Sequence, residues 1–239
     1  SRYPYMLKNS IIFVSIDLFV SQPLAILASY YIYKKKPGAA FFRTVLYLPQ
    51  VLSSIVLGIL FKYVVQSAIP DLLLAGFGVE KMDVLTNPST QMGVMILFNI
   101  IMSFGVNVLL YANAMGNVNP SLIESATLEG ANTLSVLWHV VLPKIYPTIV
   151  SIAIVVISQV FTSQFQVFNI YGDNAQEMRN VGYFIYINSL NSDLLGSQSH
   201  LGYISYPALA AFGLSMTAII VPVTFLFKFA LNKFGPKED

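Results

Sequence analysis

The sequence predicts an all-α fold, a polytopic membrane helix bundle carrying a polar elbow, and three observations predict it. Hydrophobic residues make up 56% of the 239 and charged ones only 10%, where a soluble domain is roughly a quarter charged. The mean hydropathy is +0.68. Apolar runs are long enough to cross a bilayer, which takes about 20 residues, and none alternates strictly as a barrel strand would.

Five runs qualify, at about 10–33, 44–65, 91–115, 145–170 and 203–231. They make residues 1–239 one transmembrane domain, with too little chain left over for a separate soluble unit. The opening SRYPYMLKNS lacks the order of a cleavable signal. The first run contains Asp17, the sole formal charge well inside a span. An intramembrane carboxylate is a functional suspect, but Asp17 lies only about 10 Å along the helix from Ser10. Its expected role is therefore local or hydrated, near the outer interface, with proton coupling as the competing one. Lys34, Lys35, Lys36 and Arg43 separate the first two runs, and Pro49 and Gly58 suggest bends in the second.

The 66–90 connection, punctuated by Pro70, Gly76, Gly78 and Pro88, reads as short surface segments. In the third run, Asn99, Ser103, Asn107 and Tyr111 recur every four residues and share one helical face. In the fourth, Gln159, Ser163 and Gln166 make a similar stripe beside Phe161, Phe165 and Phe168. Polar stripes in a membrane either face a watery path or bind helices to one another. A path of amides and aromatics suits sugars. The connection after the fourth run contains the polar YGDNAQEMRN.

Eight basic residues (Lys34, Lys35, Lys36, Arg43, Lys144, Lys228, Lys233, Lys237) fall on one side of this topology, and five (Arg2, Lys8, Lys62, Lys81, Arg179) on the other. The positive-inside rule puts the richer side, with the 117–144 segment and the C-terminus, in the cytoplasm. A net charge of +2 without a basic patch argues against nucleic acid. There is no cysteine, and His139 and His200 have no metal-site spacing, so neither a metal site nor a catalytic cluster is expected.

Between the third and fourth runs stands the polar island IESATLEGANTLSVLWHVVLPKI. Asn119 is a good N-cap, Pro120 suits the first helical position, and Gly130 can close the helix in the left-handed conformation. A second short helix is expected from Asn132 or Thr133, with Leu134, Leu137, Trp138 and Val141 at helical spacing, until Pro143 stops it.

Here the residues resemble a known family. Glu124-Ser125-Ala126, three residues, Gly130, nine residues, then Val140-Val141-Leu142-Pro143 is similar to the EAA loop of bacterial ABC importer permeases. It departs from that pattern only at Ser125 and Val140. VNPSLIESATLEGA resembles the carbohydrate-uptake, maltose-type branch, and the likeness continues in KKKPGAAFFRTVLYLPQVLSS and PKIYPTI.

The resemblance implies a multi-pass subunit of the bacterial plasma membrane, forming half of a translocation path for an oligosaccharide or related glycan. Glu124, Ser125, Ala126, Glu129, Gly130, Leu142 and Pro143 would couple it to a cytoplasmic ATPase, with Leu134, Leu137 and Trp138 anchoring the elbow. It also implies a second, different permease, two ATP-binding subunits that use ATP and Mg, and an extracytoplasmic binding protein. No G-x-x-x-x-G-K-[ST] occurs, so this chain binds no nucleotide cofactor itself and is not an enzyme. The family's first helix has no counterpart before residue 10, and the family's outer G-G-P is replaced by YGDNAQ. Alternatives are an importer of another polar solute such as a glycerol phosphodiester, or a stand-alone secondary transporter dependent on Asp17.

Overall fold

A computed structural model describes residues 3–77, 83–191 and 205–236, so His200 and the predicted start of the fifth span lie outside it. Among the described residues every regular element is helical. Five helical stretches are long and apolar enough to cross a membrane: Tyr5–Tyr33, Ser54–Leu72, Gln91–Gly116, Thr133–Thr162 and Tyr206–Lys233.

The first stretch comprises α1 (Tyr3–Ile16), a π-helical segment (Asp17–Ser21) and α2 (Gln22–Tyr33). The predicted second span is not one helix. It divides into α3 (Ala39–Val51) and α4 (Ser54–Tyr63), because Leu52 and Ser53 are extended, at ψ 152° and 131°. The crossing stretch thus begins ten residues later than expected, and α4 continues through a second π segment (Val64–Ala68) into α5 (Ile69–Phe77). Pro70 and Gly76 therefore sit in helix rather than in separate surface segments.

The long α6 (Gln91–Gly116) is the axis of the bundle. It packs on α2 and α3, and a Cβ at Gly105 would overlap the Leu46 carbonyl oxygen. Only glycine lets the two backbones approach this closely. Next come α7 (Pro120–Leu128), α8 (Thr133–Val136), a third π segment (Leu137–Val141) and α9 (Leu142–Thr162). The chain closes with α10 (Val167–Tyr171), a 3₁₀ turn (Gln176–Met178), α11 (Val181–Asn191) and α12 (Tyr206–Phe234).

Apolar packing is split between two ends. One core gathers Phe13, Met95, Phe98, Phe165 and Tyr183; the other, beside α7 and α8, gathers Val108, Tyr111, Met115, Leu137, Val141 and Ile145. α6 and α9 run through both. By contrast, α12 leaves Leu214, Phe225, Leu226 and Phe229 between 66% and 72% exposed, an outer surface suited to lipid or to another subunit.

Candidate functional site: the polar elbow and the buried polar row

The elbow is built from local signals. The Asn119 side chain accepts from the Ser121 N–H at 3.1 Å, and Pro120 opens α7. At the other end Gly130 has φ +86°, and two 3.0 Å bonds close the turn: Gly130 N–H to Thr127 O, and Ala131 N–H to Ala126 O. This pair forms the Schellman arrangement, which satisfies terminal carbonyls when a residue turns left-handed. Nothing lies within 4 Å of where a Gly130 Cβ would stand, so within this chain the turn, and not close approach, requires the glycine. Asn132 caps α8 by accepting from Ser135 N–H at 2.8 Å.

Pro143 does not stop the second helix. Helix runs on from Thr133 to Thr162, because Leu142 N–H bonds back five residues to Leu137 O and the wider π turn precedes the proline ring. Kinks at prolines and π segments are the usual way a helix absorbs such a residue. The anchor also differs from expectation. Leu137 is fully buried with Val136 and Val141, whereas Leu134 and Trp138 are 60% and 63% exposed. Tyr30 fastens the elbow by donating to Thr133 O at 2.9 Å.

Its outward surface is mixed. Glu124, Ser125, Glu129 and Gly130 are exposed, Ala126, Leu142 and Pro143 half-buried, and Leu128 is 89% exposed. No residue of α7 is buried. Apolar side chains standing in a polar rim are the composition of a docking surface.

The polar row on α6 faces the first crossing stretch. Tyr111 is fully buried and donates to Gln22 Oε1 at 2.8 Å. Ser103 donates to Asp17 Oδ1 at 3.4 Å. Asp17, Ser21 and Gln22 are all buried, so Asp17 is not at a hydrated interface, and its π segment turns toward α6. Ser103 and Tyr111 thus bind helices together, at roughly 0.6 kcal/mol for an average bond of this kind. Asn99 and Asn107, on the same face, are half-buried.

The second stripe does not exist as a single face. α9 ends at Thr162, Ser163 Oγ accepts from Phe165 N–H at 3.1 Å, and Phe165 and Gln166 take φ +47° and +61°. Gln159 alone of the three remains on α9. The aromatic arc packs as core: Phe165 stacks on Phe13 at 5.2 Å, and Phe168 meets Tyr186 edge-on at 5.0 Å.

Sequence reasoning missed a brace at the end opposite the elbow. Asn180, fully buried, donates to Gln164 O at 3.0 Å and accepts from Tyr183 N–H at 2.7 Å. Tyr183 donates to Gly172 O at 2.7 Å. Asn9 donates to Glu177 O and Arg179 O at 2.7 and 2.9 Å, and Ser10 Oγ accepts from Val181 N–H at 3.1 Å. An Asn before an apolar helical run was a visible cap signal, but its distant partners had none.

Comparisons with known proteins bear on the whole chain. The profile of the family described as binding-protein-dependent transport system inner membrane component matches residues 21–237. An arabinooligosaccharides transport system permease protein of Bacillus subtilis (strain 168) is 30% identical over 112 residues, 46% of this chain and 36% of that protein. The polygalacturonan/rhamnogalacturonan transport system permease protein of the same organism is 28% identical over 165 residues, 67% of this chain and 51% of that one. The chain thus spans about a third and about half of the length of these two relatives. A bacterial ABC transporter involved in the import of the acidic polysaccharide alginate superposes with a TM-score of 0.82 at 21% identity, covering 98% of this chain and 80% of the other.

Proposed function

This chain belongs to the family of binding-protein-dependent transport system inner membrane components, and on that premise we propose that it is a permease subunit of an ATP-driven importer of oligosaccharides. The elbow carries the reading. Glu124, Ser125, Glu129, Gly130 and Leu128 project from a short rigid helix pair whose other side is anchored by Val136, Leu137 and Val141. Such a pair transmits displacement between α6 and α9 and whatever it docks on.

The docking partner is a cytoplasmic ATP-binding subunit, which holds the ATP and Mg. Exposed carboxylates accept charge-assisted hydrogen bonds of about 1.5–3 kcal/mol each, and Leu128 supplies the apolar contact. A second permease completes the path, and an extracytoplasmic binding protein delivers the cargo, in keeping with the family description. The basic residues around the first connection orient the elbow and C-terminus toward the cytoplasm. Oligosaccharide cargo is favoured by the names of the two Bacillus relatives and by the half-buried amides Asn99, Asn107 and Gln159. Ser103 and Tyr111 support that wall by holding α6 against the first crossing stretch.

The test is cross-linking from Leu128→Cys in native membranes, since the chain has no cysteine. Capture of an ATP-binding subunit is expected. A Leu128→Cys that reacts freely with soluble thiol reagents and captures no such subunit would sink the coupling role.

A further inference from the structure

At the end of the bundle opposite the elbow lies a cavity of about 270 Å³. It is separate from the polar row on α6, and four stretches of chain meet there. Lys62 and Gln66 come from the end of α4 and the π segment after it, Thr86 from the following loop, Gln91 from the start of α6, and Tyr171 and Asn174 from α10 and its exit. We propose that this cavity is a binding subsite for one uncharged sugar ring of the cargo. The proposal rests on the oligosaccharide reading above.

Size is the first reason. Pockets for drug-sized ligands begin at roughly 300 Å³, so a smaller one suits a single ring. The lining is the second. Three carboxamides, a hydroxyl and an ammonium offer both donors and acceptors, while Leu85, Ile170 and the Tyr171 ring give apolar wall for the C–H faces of a sugar.

Charge then narrows the class. Among the described residues Lys62 is the single cation of the lining, and each of two lining amides sits beside a carboxylate: Gln66 Nε2 is 3.5 Å from Asp83 Oδ1, and Gln91 Nε2 is 3.5 Å from Glu177 Oε2. Hydrogen bonding from Thr86 above all, with help from the Leu85 N–H, holds the Asp83 carboxyl below the usual range, so it is ionised at neutral pH. A uronate or phosphate would meet more negative than positive charge here. A neutral polyol meets none of that repulsion.

The walls are also preorganised. Tyr171 donates to Leu85 O at 2.8 Å, Thr90 to Val84 O at 2.8 Å, and Asp83 Oδ1 accepts from the Leu85 and Thr86 amides at 3.2 and 3.3 Å. Burial, with the Asp83 charge adding to it, pushes the Tyr171 hydroxyl up to about 12, which keeps it a neutral donor across the working pH range. A site held open in this way spends little binding energy on ordering.

The experiment uses the full transporter complex in membrane vesicles, with single cysteines at Thr86 or Asn174 and a control at Ser89, on the same loop but outside the cavity. Labelling by an impermeant maleimide is followed on this subunit with arabinotriose, maltotriose or trigalacturonate present. A neutral trisaccharide should slow labelling of Thr86→Cys and Asn174→Cys at least threefold and leave Ser89→Cys unchanged. Adding Gln66→Leu should remove that protection, read as the ratio of rates with and without sugar in each variant. No protection in vesicles that do import the sugar with ATP overturns the subsite and leaves the oligosaccharide reading intact. Protection by trigalacturonate alone overturns the ligand class, and protection that survives Gln66→Leu overturns the site. A complex that imports no saccharide at all overturns both readings together.

Discussion

The elbow (119–142) and the brace at the opposite end (163–183) are connections of similar length between long helices, yet they fold on opposite principles. The brace turns inward: Asn180, Val181 and Tyr183 are buried, and its hydrogen bonds reach residues as far away in sequence as Asn9. Apart from the Tyr30 hydroxyl that reaches Thr133 O, the elbow satisfies itself with bonds between near neighbours, and it leaves α7 without a single buried residue. A segment that spends its polar groups on its own bundle holds shape. One that caps itself locally and keeps its surface free is equipped to meet another molecule.

Substitutions in the two regions should separate these principles, and the largest effect belongs to the brace. A Cβ at Gly182 would overlap the Ser163 carbonyl, so Gly182→Ala should abolish recovery of folded protein in detergent, read by size-exclusion chromatography. Asn180→Ala removes the donor to the Gln164 carbonyl and the side-chain acceptor of the Tyr183 N–H. At about 1–3 kcal/mol for each buried group left unsatisfied, thermal unfolding should show a large drop.

The elbow responds differently. Leu128→Asp should leave the unfolding temperature unchanged while cutting stimulated ATPase activity of the complex about tenfold, a barrier difference of about 1.4 kcal/mol. If unfolding shifts as well, the elbow is not the free surface described. Gly130→Ala forces a Cβ into a left-handed turn at about 1–2 kcal/mol, without the clash that Gly182→Ala meets. Its fold should survive, with coupling reduced more than stability.

The smallest effect tests the loop that borders the cavity. Asp83 has a lowered folded-state pKa, so its contribution is present above the ordinary carboxylate value and is lost as pH falls through the folded one. Hydrogen exchange at the Leu85 and Thr86 amides should accelerate relative to the intrinsic rate below about pH 4. Asp83→Asn should flatten that dependence.

The elbow was legible because its signals are local: Asn119 caps α7 and Gly130 closes it as their chemistry suggested, and the second helix starts at Thr133, capped by Asn132. The brace was not, because Asn9 and Glu177 lie 168 positions apart. Spacing put the polar row on one face of α6, but only the fold showed Ser103 and Tyr111 reaching Asp17 and Gln22. The Gln159, Ser163 and Gln166 stripe failed for a related reason. Periodicity presumes an unbroken helix, and here the chain leaves α9 at Ser163, ψ 134°. Hydropathy likewise continues smoothly across Leu52 and Ser53, where the backbone turns extended.

The π segment at Leu137–Val141 makes the elbow's bearing a matter of counting. A π turn carries one residue more than the α turn it replaces, and one residue of an α-helix is about 100° of rotation. Removing a single residue between Leu137 and Val141 would restore the regular ladder and turn α8, which runs directly into it, about 100° around the axis of α9. The compass setting of α8 is thus held by one surplus residue, and any chimera that borrows this segment has to copy its length before its sequence.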